Sequence, residues 1–158
     1  MRGGYLEDRF FDGCKKISDE PYRFVHWAMI DTWIYFSHNF ITIPPFGWIQ
    51  AAHRNGVRVL GTIITEWGPG KQLLERILAS DENIERFTAV TASMCAHYGF
   101  HGWLLNIENE VEPDLVSQLI KLTQALTEAV KRKIGEEGVV LWYDSVTVKV
   151  RPSLLRFL

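Results

Sequence analysis

Hydrophobic and polar positions change period several times along this chain, and each change marks an element. Met29–Ser37 ("MIDTWIYFS") is rich in β-branched and aromatic residues and predicts a first strand, after which Pro44 and Pro45 turn the chain. The stretch "WIQAAHRNG" has helical spacing and stops at Gly56, a suitable left-handed cap. Val57–Thr65 ("VRVLGTIIT") is a continuous β-branched run, the second predicted strand. Gly68–Lys71 ("GPGK") reads as a turn, and "KQLLERILA" follows as a short amphipathic helix. Asp81 is placed to cap the next helix, in which Ile84, Phe87, Val90, Met94 and Tyr98 recur at helical spacing before Gly99. "GWLLNIE" is the third strand. Pro113 then opens a long helix whose apolar side carries Leu115, Leu119, Leu122, Leu126, Val130 and Ile134, with Gly135 closing it. Val139–Ser145 ("VVLWYDS") is the fourth strand.

Strands alternating with helices build parallel βαβ units, so the fold class is α/β. Spacing alone fits both a doubly wound sheet and a barrel. The placement of polar residues favours the barrel, because each strand is apolar early and polar late. Ser37 and His38 end the first; Thr65, Glu66 and Trp67 the second; Asn106 and Glu108 the third; Tyr143 and Asp144 the fourth. In parallel α/β folds the ligand meets the carboxyl ends of the strands, and in TIM barrels active sites lie there. A full (β/α)8 barrel takes roughly 250 residues and eight strands. The 158 residues here supply four strands and no linker or repeat divides them, which predicts one incomplete TIM barrel across residues 1–158.

Composition narrows the partners. With 47% hydrophobic and 23% charged residues the chain is globular in character. A net charge of -2 without a basic stripe argues against nucleic acid and against an anionic membrane surface. No apolar run reaches spanning length, and "MRGGYLEDRF" lacks the apolar core of a secretory signal. Cys14 and Cys95 have no CxxC spacing and read as free thiols of a reducing compartment, so a cytoplasmic location is expected. The oligomeric state is not encoded in any pattern here. Six Trp, five Tyr and nine Phe leave two uses for each ring, core packing or a platform for a flat ligand face.

Side chains alternate along a strand, so Asn106, Glu108 and Glu110 share one face while Leu105 and Ile107 take the other. In a barrel the apolar set meets the helices and Asn106 and Glu108 point inward at the mouth, about 6–7 Å apart. A carboxyl there, flanked by rings, can be tuned by desolvation to act as a general acid. Asn106 offers a donor and an acceptor without charge, and can orient a substrate amide. A plain strand end followed by a turn is the alternative for all three residues. Tyr143 can hydrogen-bond a reacting oxygen or the backbone at the same rim, and Asp144 can support it or cap a helix. Trp67 can stack on a sugar ring; Glu66 is a substrate-binding or ion-paired residue, and His38 lies at the same level. The five histidines show no HExxH or paired-ligand spacing, so no metal is expected, and the absence of GxGxxG, GxSxG and a full P-loop removes nucleotide and serine-nucleophile chemistry.

Taken together, "GGYLEDRF", "YFSHNFITIPPFGWIQAAHRNGVRVLGTIITEW", "GWLLNIENE" and "VVLWYDS" resemble the cytosolic endo-β-N-acetylglucosaminidases of glycoside hydrolase family 85, from about Gly3 to Ser145. The resemblance implies a (β/α)8 catalytic barrel that acts on an N-glycan or free oligosaccharide, cutting the chitobiose core between its two GlcNAc residues, without a cofactor. It implies a substrate-assisted retaining mechanism, in which the acetamido oxygen attacks its own anomeric carbon to give an oxazolinium ion. Asn106 would hold the acetamide, Glu108 would serve as acid and then base, and Tyr143 would position the reacting group.

Aligned this way, the chain holds the family's strands two to five, and residues 146–158 diverge. Such a sheet is expected to leave two edges unpaired and its inner face partly wet. Two outcomes follow: a hydrolase active within a longer form, or an inactive fragment that at most binds glycans or a partner.

Overall fold

The computed structural model describes residues 24–143. After a short 3₁₀ turn at Trp27–Met29 come β1 (Thr32–Ile34), β2 (Ile41–Thr42), α1 (Phe46–Arg54), β3 (Arg58–Thr65), α2 (Trp67–Leu78) and α3 (Asp81–Tyr98). β4 (Gly102–Ile107), a 3₁₀ turn at Pro113–Leu115, α4 (Val116–Ile134) and β5 (Val139–Trp142) complete it. The sheet runs β1-β3-β4-β5, every neighbour parallel, and β2 pairs antiparallel with β3. Each parallel strand therefore lies beside its predecessor, with no reversal of order. A doubly wound sheet reverses at a switch point, whereas a (β/α)8 barrel advances in one direction. The strand order resolves the choice that spacing left open: this is a segment of a (β/α)8 barrel.

Register assigns the two faces. Gly61 pairs with Trp103, Ile63 with Leu105 and Thr65 with Ile107, while Thr62 pairs with Leu104 and Ile64 with Asn106. The first set faces the helices: Val59, Ile63, Trp103, Leu105 and Val140 form one core with Ala92 and Cys95 of α3 and Leu126, Ala129 and Val130 of α4. The second set lines the inner face, where Leu60, Thr62, Ile64 and Asn106 are buried. Leu104 and Leu141 on that face are half-buried, and so is Ile34 of β1, so the expected wetting falls on both flanks of the buried β3.

Trp103 organises the middle of the helix-side core. Its Nε1 donates to the Thr91 carbonyl at 3.2 Å, and Phe100 meets its ring edge-on at 4.9 Å. A Cβ on Gly61 would come 2.7 Å from the Trp103 ring and 2.5 Å from the Thr42 carbonyl, so only glycine lets the indole lie flat on β3. The indole also corrects the stripe expected on α3. Ile84 is buried and Phe87 and Met94 pack half-buried against the core as predicted. Val90 and Tyr98, however, are exposed, and the other buried positions are Thr88, Thr91, Ala92 and Cys95. Small residues leave room for the ring, and the threonine hydroxyls are satisfied by carbonyls of their own helix.

Other boundaries shift for local reasons. Ser80, not Asp81, caps α3, accepting from the Asn83 N–H at 3.2 Å, and Asp81 is the first helical residue. The "GPGK" turn is instead the first turn of α2, where the missing N–H of Pro69 costs nothing. The first predicted strand contracts to Thr32–Ile34 and the chain then loops out and back to form β2. On the helix side of β1, Trp33 stacks on Trp48 at 4.7 Å, with Trp27 and Phe24 beside them. Of the six tryptophans, Trp27, Trp33, Trp48, Trp103 and Trp142 belong to or pack against this core. Trp67 does not.

Candidate active site

The carboxyl ends of β3, β4 and β5 meet at one rim. Asn106 is the last inward-facing residue of β4 and is 2% exposed. Its Nδ2 donates to Glu108 Oε1 at 2.9 Å, and its Oδ1 is buried with no partner among the described residues. The carboxylate accepts only, so it fixes which end of the amide faces Glu108 and turns the amide oxygen away from it. Glu108 follows the strand, tied down through its backbone N–H to the Thr65 carbonyl at 3.0 Å, and its side chain is exposed. The enclosing rings expected around Glu108 are not supplied by the described residues. Tyr143 continues the ladder by donating its N–H to the Leu105 carbonyl at 3.0 Å. Leu105 pairs with Trp142, so Tyr143 falls on the Asn106 face, with its side chain part-exposed. Asp144 lies outside the described residues.

Glu66 leaves β3 beside Glu108 and holds the loop that follows β1. Both of its carboxylate oxygens accept from His38 Nδ1, at 2.8 and 3.0 Å. The glutamate side chain is 12% exposed and the histidine 51%, so the pair has a sheltered carboxylate and an open ring. The fold shows Glu66 hydrogen-bonded within the protein, to His38. Trp67, the next residue, is 81% exposed.

Spacing did not single out the contacts that join the loop after β4 to α2. Asn109 Nδ2 donates to the Trp67 carbonyl at 2.8 Å, and Lys71 Nζ pairs with Glu112 Oε1 at 2.6 Å. The bond to Glu112, and then its charge, hold the Lys71 ammonium above its ordinary range and the Glu112 carboxyl below its own. Nothing in the sequence pairs residues about forty positions apart; only the polar character of "NIENE" pointed to this loop. No group of three or more His, Cys, Asp or Glu side chains placed to hold a metal occurs among the described residues.

The site can therefore offer one amide with an open acceptor, one carboxyl that both shares that amide and faces solvent, a tyrosine hydroxyl on the same face and an exposed indole at the lip. Residues 5–154 match the sequence profile of glycosyl hydrolase family 85. The cytosolic endo-beta-N-acetylglucosaminidase of Gallus gallus is 48% identical over 147 residues, covering 92% of this chain and 20% of that protein. Its counterpart in Homo sapiens is 46% identical over 147 residues (92% and 19%). Cytosolic endo-beta-N-acetylglucosaminidase 1 of Arabidopsis thaliana is 39% identical over 148 residues (94% and 21%). The chain spans about a fifth of the length of these relatives. Among solved structures, a chitinase from Bacteroides thetaiotaomicron superposes with a TM-score of 0.61 at 11% identity, over 80% of this chain and 42% of that one. A chitinase from Rhizomucor miehei gives 0.56 at 16%, over 78% and 43%. Identities this low speak to the fold alone.

Proposed function

Because the chain belongs to glycosyl hydrolase family 85, we propose that it carries the acid/base half of an endo-β-N-acetylglucosaminidase site acting on the chitobiose core of N-glycans in the cytosol. The observation that carries this reading is the Asn106–Glu108 pair, a buried amide bonded to a solvent-facing carboxyl with its own oxygen left open. A hydrolase with a protein nucleophile needs a second carboxylate facing the first. Here an amide occupies the neighbouring inward position of β4, and Glu66, the carboxylate beside Glu108 at the end of β3, is engaged by His38. That arrangement suits a substrate that brings its own nucleophile.

In the proposed chemistry the acetamido N–H of the bound GlcNAc donates to Asn106 Oδ1, the open acceptor. That bond strengthens as the acetamido oxygen attacks the anomeric carbon and positive charge reaches the nitrogen. Intramolecular attack replaces a collision, an advantage that can reach about 7–11 kcal/mol in well-oriented systems. Glu108 protonates the departing GlcNAc oxygen. Its Oε1 is engaged by Asn106, which leaves Oε2 to carry the proton. The resulting carboxylate then takes a proton from the water that opens the oxazolinium, and two inversions give retention. Tyr143 directs its hydroxyl toward the acetamido oxygen from the next strand.

The test is glycan release by the full chain from an Asn-linked chitobiose glycopeptide, read by mass spectrometry. The expected product leaves one GlcNAc on the peptide. Glu108→Gln lowers the rate by about 10²–10⁴-fold, and Asn106→Ala by about 10²–10³-fold. Release at the wild-type rate by either variant removes the assignment. Binding of the glycopeptide without release marks the chain as a glycan-binding segment.

A further inference from the structure

Trp67 combines two features that a folded chain does not keep without a use. Its ring is 81% exposed, the exception among six tryptophans. Its φ of 56° is the one positive value at a non-glycine residue among the described residues, a left-handed conformation that bulky side chains avoid. Packing does not compensate, because the ring faces water. What holds the backbone there is Asn109, whose Nδ2 donates to the Trp67 carbonyl at 2.8 Å. α2 is shaped around that amide: a Cβ on Gly70 would come 3.1 Å from Asn109 Oδ1 and 3.0 Å from the Thr65 carbonyl carbon. Asn109 follows Glu108 directly, so one short loop carries both the proposed acid and the clamp on the indole.

We propose that Asn109 is a positioning residue that locks the Trp67 indole as a platform for the apolar face of a pyranose ring beside Glu108, an inference that rests on the glycosidase reading above. An indole offers a broad rigid face, and one side of a β-linked GlcNAc presents C–H bonds to it. Because the clamp and the acid share the loop, a sugar seated on Trp67 is held at a fixed distance from the carboxyl that must reach its glycosidic oxygen. The platform selects for a flat equatorial sugar and bears on binding, whereas Asn106 and Glu108 bear on the bond-making step.

N,N′-diacetylchitobiose is titrated into the full chain and followed by tryptophan fluorescence, with glycan release measured in parallel. Trp67→Ala weakens binding about tenfold, and Trp67→Phe restores part of it. Asn109→Ala weakens it severalfold, with the loss in KM rather than kcat. Asn109→Asp, which keeps the shape and removes the donor, does the same in a chain that still melts cooperatively. In the Trp67→Ala background the Asn109 substitutions add nothing, since the residue acts through the ring. Wild-type affinity in Asn109→Asp, or additive losses in the double variant, overturns the proposal. Neither result touches the catalytic reading, which stands or falls on release by Glu108→Gln and Asn106→Ala.

Discussion

Cys95 sits on the core face of α3, where its Sγ donates to the Thr91 carbonyl at 3.4 Å and burial pushes the thiol up to about 12. Thiolate is the reactive form, so alkylation at neutral pH requires unfolding. Iodoacetamide labelling followed by peptide mass spectrometry is expected to mark Cys95 only in denaturant. His101 shows the opposite dependence on a neutral ring. Its Nδ1 accepts the Val59 N–H at 3.1 Å, and burial first, then the His53 ring 5.0 Å away, lower its pKa. Arg58 adds to the depression, while Glu137 opposes it. The unfolded chain takes up this proton near 6.5 and the folded chain only at lower pH. The contribution is therefore complete above about pH 6.5 and is lost as pH falls through the folded pKa. A melting temperature that declines from pH 7 to pH 5, with a smaller decline in His53→Gln, is the expected profile. A flat profile over that window would rule the histidine out.

β4 is the element on which both neighbouring strands and the site depend. Gly102 opens it at φ 149°, where a Cβ would lie 1.8 Å from the Val139 carbonyl oxygen. Gly102→Ala must displace β5, and is expected to cost more than about 4 kcal/mol, the range of severe core lesions, in a denaturant titration. β3, β4 and β5 were legible in the sequence as apolar runs, and α4 because its period is long enough to show its buried face. β2 was not: two residues carry no period, and its place is set by the Ile64 N–H donating to Phe40 O across the sheet. The core face of α3 was read in part: Ile84, Phe87 and Met94 fit, while Thr88 and Thr91 were missed. Threonines were counted as polar, although a neighbouring indole needed small side chains and a carbonyl. At the site, the spacing of two put Asn106 and Glu108 on one face but left a plain strand end as the alternative, and the resemblance to a family favoured the functional reading. The His38–Glu66 and Asn109–Trp67 contacts join residues 28 and 42 positions apart, and only the register of the sheet brings them together.

Across the whole molecule, order is concentrated in the middle of the sheet. β3 is buried along nearly its full length and has partners on both edges, while β1 and β5 each have a single described neighbour. Hydrogen exchange should follow that gradient, slowest at Ile63 and Leu105 and fastest in β1 and β5. Equal protection in all four parallel strands would contradict it. Of the proposed site residues, Asn106 and Glu108 thus stand at the end of a protected strand, whereas Tyr143 leaves β5 at the edge.

The loop between β1 and β2 has both of its footings on one strand. Tyr35 donates to Leu60 O at 2.9 Å as the chain departs, and Phe40 O accepts from Ile64 at 2.9 Å as it returns. Thr62 Oγ1 secures the Tyr35 carbonyl between them at 2.8 Å. With its ends pinned four residues apart, any change in the arc's length must be absorbed at the crest, where His38 sits. Insertions or deletions there would leave the sheet untouched and slide the imidazole along the rim. The span acts as an adjustable arm, whose length at the crest sets where the imidazole meets Glu66 without rebuilding the sheet.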